Sequence, residues 1–324
     1  MQYAQLGRSG LTVSRICLGC MSYGSSKWRP WILDEAEARP FYRKALDLGI
    51  NFFDTADMYS LGVSEEVTGK ALREMANTEE IVLATKVHFP MGKGPNLEGL
   101  SRKHIVQGCE ASLRRLGVET IDLYQIHRFE GTAPIEETLG ALQHLVQQGK
   151  VRYIGASSGY AWQMARALSV SERNGWARFV SMQNHYNLMY REEEREMIPL
   201  CIEDGVGVIP WSPLARGRLA RTGPADAGGT MRAENDQYAV GLYDSPGDSE
   251  VIEANQAVAE EIGAQPGEVA LAWLLSRPGV VAPIIGATRV EHLDTAARAL
   301  ELTLSNEQVG RLEAAYRPHA IKGH

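Results

Sequence analysis

Residues able to move a proton gather at a few points of this chain. NFFDTADMY (51–59) supplies Asp54, Asp57 and Tyr59, ATKVH (84–88) supplies Lys86 and His88, and DLYQIHR (122–128) supplies His127 and Arg128. Each group ends a short run rich in β-branched and aromatic residues, the pattern of a buried strand. A carboxylate, a phenol, an ammonium and an imidazole at successive strand ends can meet on one rim, and together they suit general acid–base chemistry. Three later runs end in GASSG, QNHYN and PWSP and bring hydroxyl, amide and indole groups to the same rim. Taken singly, each residue has an ordinary reading: Asp54 and Lys86 as solvated caps, Tyr59 as a rim aromatic, His127 as a core histidine.

Holding such groups together is the work of the elements around them. Strands are expected at 15–20, 51–56, 80–87, 120–127, 150–158, 178–186, 205–213 and 280–288. Between them helical patterns run over 35–48, 64–76, 101–117, 134–148, 160–174, 191–203, 252–263, 267–277 and 290–300. In the 101–117 segment Ser101 can cap the start and Gly117 the end, with Ile105, Cys109, Leu113 and Leu116 on one apolar face. Eight alternating units predict an α/β fold, a (β/α)8 TIM barrel, whose chemistry sits at the C-terminal ends of its strands. The opening YAQLGRSGLTV reads as a hairpin turning around Ser9 and Gly10, able to plug the barrel bottom. A long polar, Gly-rich loop follows the seventh strand over 214–250, on the active face. No linker divides the chain, so residues 1–324 are read as a single domain.

Composition narrows the function classes. Of 324 residues 44% are hydrophobic and 23% charged, which supports a packed core and argues against disorder. Lys and Arg number 33 against 40 Asp and Glu, so the net charge is 33 − 40 = −7, unsuited to nucleic acid as a main partner. The N-terminal MQYAQLGRSG lacks an apolar signal region, and no apolar run approaches the ~20 residues of a membrane span, so a soluble, cytoplasmic protein is expected. Cys17 and Cys20 form a C-x-x-C, but without a second close pair a metal site is not expected, and burial in a strand is.

Beyond these patterns the chain resembles the aldo-keto reductases. Asp54 and Tyr59 stand five apart, as that family's catalytic Asp and Tyr do; Lys86 falls in ATKV and His127 in DLYQIH, and GASS, MQNHYN, PWSPLARG and PIIGATRVEHL continue the likeness in strand order. The resemblance implies an oxidoreductase passing a hydride between a nicotinamide cofactor and a carbonyl. In it Tyr59 is the general acid of reduction and base of oxidation, Lys86 lowers the tyrosine pKa, Asp54 holds Lys86, and His127 orients the carbonyl oxygen. Asp57 is taken as structural or substrate-facing.

Neither G-x-G-x-x-G nor G-x-x-x-x-G-K-[ST] occurs at a strand–helix junction, so a nucleotide must be held otherwise. The resemblance implies NADP(H) lying across the barrel mouth. Met21 is placed among the cofactor residues, Ser157, Ser158 and Gln183 on the carboxamide, Trp211 on the nicotinamide ring, and Ser212, Leu214, Arg216 and Gly217 on the pyrophosphate. Gly286, Thr288 and Arg289 are implied around the 2′-phosphate, favouring NADP over NAD. Ser158 replaces the usual Asn, and Thr295 and Ala296 replace the Glu and Asn expected near the adenine.

Other readings compete. GASSG satisfies G-x-S-x-G, which would make Ser157 a hydrolase nucleophile, though no HGGG-type oxyanion segment accompanies it. Paired carboxylates raise a glycosidase, but the fourth and seventh strands end in His and Trp-Ser-Pro instead of acids. Some members of the resembled family are non-catalytic, cofactor-binding β subunits of ion channels. Within the family the likeness runs to bacterial reductases linked to 1-deoxyxylulose 5-phosphate formation and to aryl-alcohol dehydrogenases. Trp28, Trp31 and the 214–250 loop are expected to wall the substrate pocket. Arg128, assisted by Lys93, is a candidate for a substrate phosphate or carboxylate.

Overall fold

The computed structural model describes residues 1–222, 241–243 and 245–323. A two-stranded antiparallel hairpin, β1 (Tyr3–Gln5) with β2 (Thr12–Ser14), precedes the main sheet. Eight parallel strands follow: β3 (Cys17–Gly19), β4 (Phe52–Asp54), β5 (Val82–Val87), β6 (Ile121–Ile126), β7 (Val151–Ser157), β8 (Phe179–Gln183), β9 (Gly207–Val208) and β10 (Ile284–Gly286). Their order is β10-β3-β4-β5-β6-β7-β8-β9. The remaining gap is bridged by backbone bonds from Val208 N–H to Gly279 O, Val281 N–H to Val208 O and Ile284 N–H to Pro210 O, at 2.8–2.9 Å. The expected (β/α)8 barrel is therefore present.

Around it lie α1 (Glu35–Asp47), α2 (Val63–Met75), α3 (Arg102–Leu116), α4 (Ile135–Gln147), α5 (Ala161–Asn174), α6 (Met197–Asp204), α7 (Asp248–Ile262), α8 (Pro266–Leu275), α9 (Glu291–Ala299) and α10 (Asn306–Ala314). Local chemistry sets their ends. In α3 the Ser101 side chain accepts from His104 N–H, and Gly117 closes the helix at φ 66°, as its sequence requires. Helix α1 begins with a reciprocal capping box between Asp34 and Glu37. The 191–203 pattern is split: a single turn at Glu192–Glu194 precedes α6, whose first turn contains Pro199.

Side-chain alternation divides the apolar residues into two cores. Leu18, Phe53, Leu83, Tyr124 and Ile154 face outward and pack beneath the helices. Cys17, Phe52, Val82, Ala84, Leu123, Ile209, Ala282 and Ile284 face inward, and Leu6 and Val13 of the hairpin close the bottom of that inner stack. Cys17 and Cys20 are buried free thiols, with Cys20 pushed up to about 12 by burial. The polar part of the 214–250 segment lies largely outside the described residues, and among those described no helix is long and apolar enough to cross a membrane.

The hairpin turn is tighter than its sequence suggests. Leu6 N–H donates to Leu11 O at 2.8 Å and Arg8 N–H to Gly205 O at 2.7 Å. Gly7, rather than Gly10, takes the left-handed conformation at φ +60°, and a Cβ there would lie 2.5 Å from Gly205 O and 2.7 Å from Val180 O. Both obstacles are backbone. Gly7→Ala should therefore destabilise the protein by about 2–4 kcal/mol, from left-handed strain plus overpacking. A urea unfolding midpoint measures this; an unchanged midpoint would show that the hairpin is not seated on the barrel as described.

Candidate active site

The same alternation that fills the barrel with apolar groups delivers polar ones to its top. Two residues beyond inward-facing Phe52 comes Asp54, two beyond Ala84 comes Lys86, two beyond Leu123 comes Gln125, and two beyond Ser181 comes Gln183. Strand register sets their heights, with Gly19 opposite Asp54, Lys86 opposite Gln125 and Ser157 opposite Gln183. Lys86 is 0% exposed and Asp54 2%. The ammonium donates to Asp54 Oδ2 at 2.5 Å, to Thr55 O at 2.8 Å and to Tyr59 Oη at 3.5 Å. Gln125 and Gln183 donate to the other Asp54 oxygen at 2.9 and 3.0 Å. Gln125 was not singled out from the sequence, although its place two residues after inward-facing Leu123 is the signal for it.

Burial would lower the Lys86 pKa, but Asp54 and Tyr59 together hold it above the ordinary lysine value, so the ammonium persists. Tyr59 departs from expectation. Burial raises its pKa above 10 despite the opposing charge of Lys86, so the net direction is upward, although Lys86 pulls it down. The His127 ring meets Tyr59 edge-on at 5.7 Å and Phe89 at 4.8 Å. Burial first, then the charges of Lys86 and Arg128, push the His127 pKa well below the ordinary histidine value. The imidazole is neutral at neutral pH and can donate one N–H.

These groups open into a cavity of about 540 Å³ at the strand C-termini. Its wall includes Met21, Trp28, Asp54, Tyr59, His127, Arg128, Ser157, Gln183, Trp211, Ser212, Leu214, Arg216, Gly217, Gly286, Thr288 and Arg289, bringing most of the expected residues together. Arg221 of the 214–250 loop also joins the wall, and Arg29, Met58, Phe89, Gln265, His292 and Thr295 do so without having been anticipated as wall. Several expectations need correction. Trp31 is only 5% exposed and lies off the wall; Arg29 Cζ sits 5.8 Å from its ring and 4.8 Å from that of Trp28. Ser158 is 1% exposed and also off the wall, because its hydroxyl accepts from Trp211 Nε1 at 3.0 Å. Ala296 is fully buried, and Lys93 is exposed away from the cavity. Ser157 Oγ donates to Gln183 O at 2.8 Å, an arrangement unlike a nucleophile bonded to an imidazole.

Trp211 is fixed from behind. Its ring stacks on His185 at 4.3 Å, and His185 in turn stacks on Tyr190 at 4.2 Å. His185 Nε2 bonds Tyr243 Oη at 2.6 Å, while Asn187 Nδ2 holds Ser212 O at 2.9 Å. The QNHYN run thus buttresses the indole. Ser212, Ala215, Arg216 and Gly217 all have positive φ, a sharp curl closed by its own backbone, with Ala215 N–H donating to Ser212 O at 2.9 Å and Gly217 N–H to Leu214 O at 2.8 Å. Asp54 is the only carboxylate among the described wall residues, whereas Arg29, Arg128, Arg216, Arg221 and Arg289 all contribute. This donor set fits a dianionic or more highly charged ligand with an aromatic ring.

Comparison with known proteins agrees with the geometry. The model of the Aldo/keto reductase family matches residues 15–317. The chain is 43% identical to versiconal hemiacetal acetate reductase of Aspergillus parasiticus, over 99% of this chain and 98% of that one. It is 42% identical to a putative aryl-alcohol dehydrogenase of Schizosaccharomyces pombe, over 99% and 97%. A putative aryl-alcohol dehydrogenase of Saccharomyces cerevisiae is 37% identical over 98% of both chains. Matches over nearly the whole length, with a buried cluster of titratable groups in the barrel mouth, place this chain in the aldo/keto reductase family.

Proposed function

We propose that this chain is an NADP(H)-dependent reductase of aldehydes and ketones, reversible toward alcohols, with Asp54, Tyr59, Lys86 and His127 as its working residues. The observation that carries the reading is the Lys86 ammonium inside the barrel, bonded to Asp54 and 3.5 Å from the Tyr59 hydroxyl, with neutral His127 beside them. Hydride addition to a carbonyl carbon leaves negative charge on oxygen, and the nicotinamide supplies that hydride when bound. Tyr59 O–H donates the proton to the oxygen, and a neutral His127 N–H holds the oxygen in place. A tyrosine with a raised pKa is fully protonated at neutral pH, as the reducing direction requires. Lys86 favours the phenolate left behind and the phenolate that alcohol oxidation needs.

The residues fit the cofactor. Trp211, backed by His185, offers a flat surface for a nicotinamide ring, and Ser157 and Gln183 lie beside it on the wall. Ser212 and Arg216 on the wall suit the pyrophosphate, while Thr288 and Arg289 before α9 suit a 2′-phosphate. Gln265 and Thr295 share that wall and are the groups available to an adenine.

Aryl aldehydes and aryl alcohols are the favoured substrates, supported by the aromatic wall of Trp28, Tyr59 and Phe89 and by the names of the two yeast relatives. On the cavity wall the sugar-phosphate reading is left with Arg128, since Lys93 lies away from it. That guanidinium donates to the His127 carbonyl at 2.6 Å and lies 5.6 Å from the Phe89 ring, an orientation that braces His127. The deciding experiment is NADPH and NADH oxidation over aryl aldehydes, short aldehydes, ketoses and sugar phosphates. Cofactor binding without turnover of any of them would favour the regulatory-subunit reading.

Tyr59→Phe removes the proton donor and keeps the ring. Turnover of aryl aldehydes should fall about 100- to 10,000-fold while NADPH affinity, read by fluorescence quenching, stays unchanged. Turnover within a few-fold of wild type would refute Tyr59 as the donor. Arg289→Ala should weaken NADPH about ten- to hundredfold and leave NADH nearly as before. Equal wild-type affinities for the two cofactors would refute the phosphate site.

A further inference from the structure

Between Asp54 and Tyr59 stands a second carboxylic acid that the mechanism above does not use. Asp57 is 1% exposed, and neither of its carboxyl oxygens has a hydrogen-bond partner among the described residues. The charged and titratable groups around it come from four elements. Glu65 of α2 is fully buried, with its oxygens taken by Thr85 Oγ1 and Arg115 Nε, each at 2.6 Å. Arg115 of α3 is thus committed to Glu65, Lys86 of β5 to Asp54, and Tyr124 of β6 is a fully buried phenol. Both cations that pull on Asp57, Arg115 and Lys86, are thus already paired with other carboxylates, and the neighbouring Glu65 repels a second negative charge. An isolated carboxylate in such a place is far costlier than the neutral acid. Burial, then Glu65, raise its pKa to about 8, against the weaker pull of the Met58 amide, Arg115 and Lys86.

Asp57 is also wired into the backbone of the site. Its N–H donates to the carbonyl of Lys86 at 3.2 Å, tying β5 to the turn that carries Tyr59. Within that turn Tyr59 N–H donates to Ala56 O and Leu61 N–H to Met58 O. Ser60 and Leu61 both sit at φ 52° and Gly62 at φ 95°, a run of left-handed residues that holds its shape only while its surroundings are intact.

We propose that Asp57 is a positioning residue that works as a neutral carboxylic acid: protonated, it lets the 57–62 turn stay docked with Tyr59 beside Lys86, and ionised, it loosens that turn and withdraws Tyr59. The stability consequence stands on Asp57 alone; the activity consequence rests on Tyr59 being the proton donor.

The test compares wild type with Asp57→Asn, which mimics the neutral acid in shape. The first measurement is the thermal midpoint of both proteins from pH 4 to pH 9. The folded pKa lies above the unfolded value of 3.8, so the wild type holds a proton that the unfolded chain releases. Its stability is therefore present below about pH 4 and is lost progressively up to about pH 8. Relative to Asp57→Asn, the wild-type midpoint should fall steadily through that window and level off above it. The second measurement is aldehyde turnover. Wild type should lose about tenfold between pH 7 and pH 9, whereas Asp57→Asn should stay flat, because the titration of Tyr59 itself lies above pH 10. If Asp57→Asn does not fold, Glu65→Gln removes the repelling charge and should move the wild-type loss to lower pH. Midpoints that run parallel, or that fall faster in the Asn variant, would overturn the neutral acid. Coincident pH–turnover profiles would overturn the positioning role. No turnover in either protein would refute the reading of Tyr59, while the midpoint comparison still decides the protonation of Asp57.

Discussion

The Lys86 ammonium in the barrel lumen is the interaction around which the site is built. A lysine with no exposure keeps its charge only if every surrounding group favours that charge, and here Asp54, Thr55 O and the Tyr59 hydroxyl do so at once. Asp54 in turn is fixed by amide donors from Gln125 and Gln183, so four strands contribute to one hydrogen-bonded unit. Removing either member of such a pair leaves the other charge buried and uncompensated, typically a loss of about 3–5 kcal/mol. The polar unit is tolerable because it sits on the apolar inner stack, which the hairpin seals from below. Proton chemistry and fold stability are thereby linked at the same residues.

Charge is distributed unevenly around that unit. Asp54, the one carboxylate of the described wall, is paired with Lys86, while Arg29, Arg128, Arg216, Arg221 and Arg289 stand elsewhere on it. The mouth thus carries arginines and aromatic rings above a compact cluster of titratable groups. His127 contributes no charge, because burial first and then the nearby cations keep it neutral. The Trp211–His185–Tyr190 stack gives the mouth a rigid side where a planar ring can rest.

Much of this was legible in residue order. The eightfold alternation, the caps of α3 and the proton-moving residues at strand ends all follow from local rules, because strand direction and side-chain period fix which residues reach the rim. What local rules did not reveal depends on tertiary surroundings. Gln125 looked like an ordinary strand residue until the register set it beside Lys86. Trp31 and Ser158 have suitable side chains that packing turns away from the cavity. The Tyr59 pKa is decided by a balance of burial against Lys86, and sequence shows the neighbour without showing the depth. Asp57 is similar: its spacing is visible, but the dryness of its surroundings and the prior commitment of Arg115 are not.

The claim that Lys86 tunes the proton donor can be measured without turnover. Tyrosine labelled with 13C at Cζ, assigned through Tyr59→Phe, allows the Tyr59 hydroxyl to be titrated by NMR in wild type and in Lys86→Met, at a temperature where both are folded. Burial raises this pKa and Lys86 opposes the rise, so Tyr59 should titrate above 10 in wild type and higher still in Lys86→Met. An unchanged or lower value in Lys86→Met would contradict the account, because the ammonium would then exert no hold on the phenol it faces.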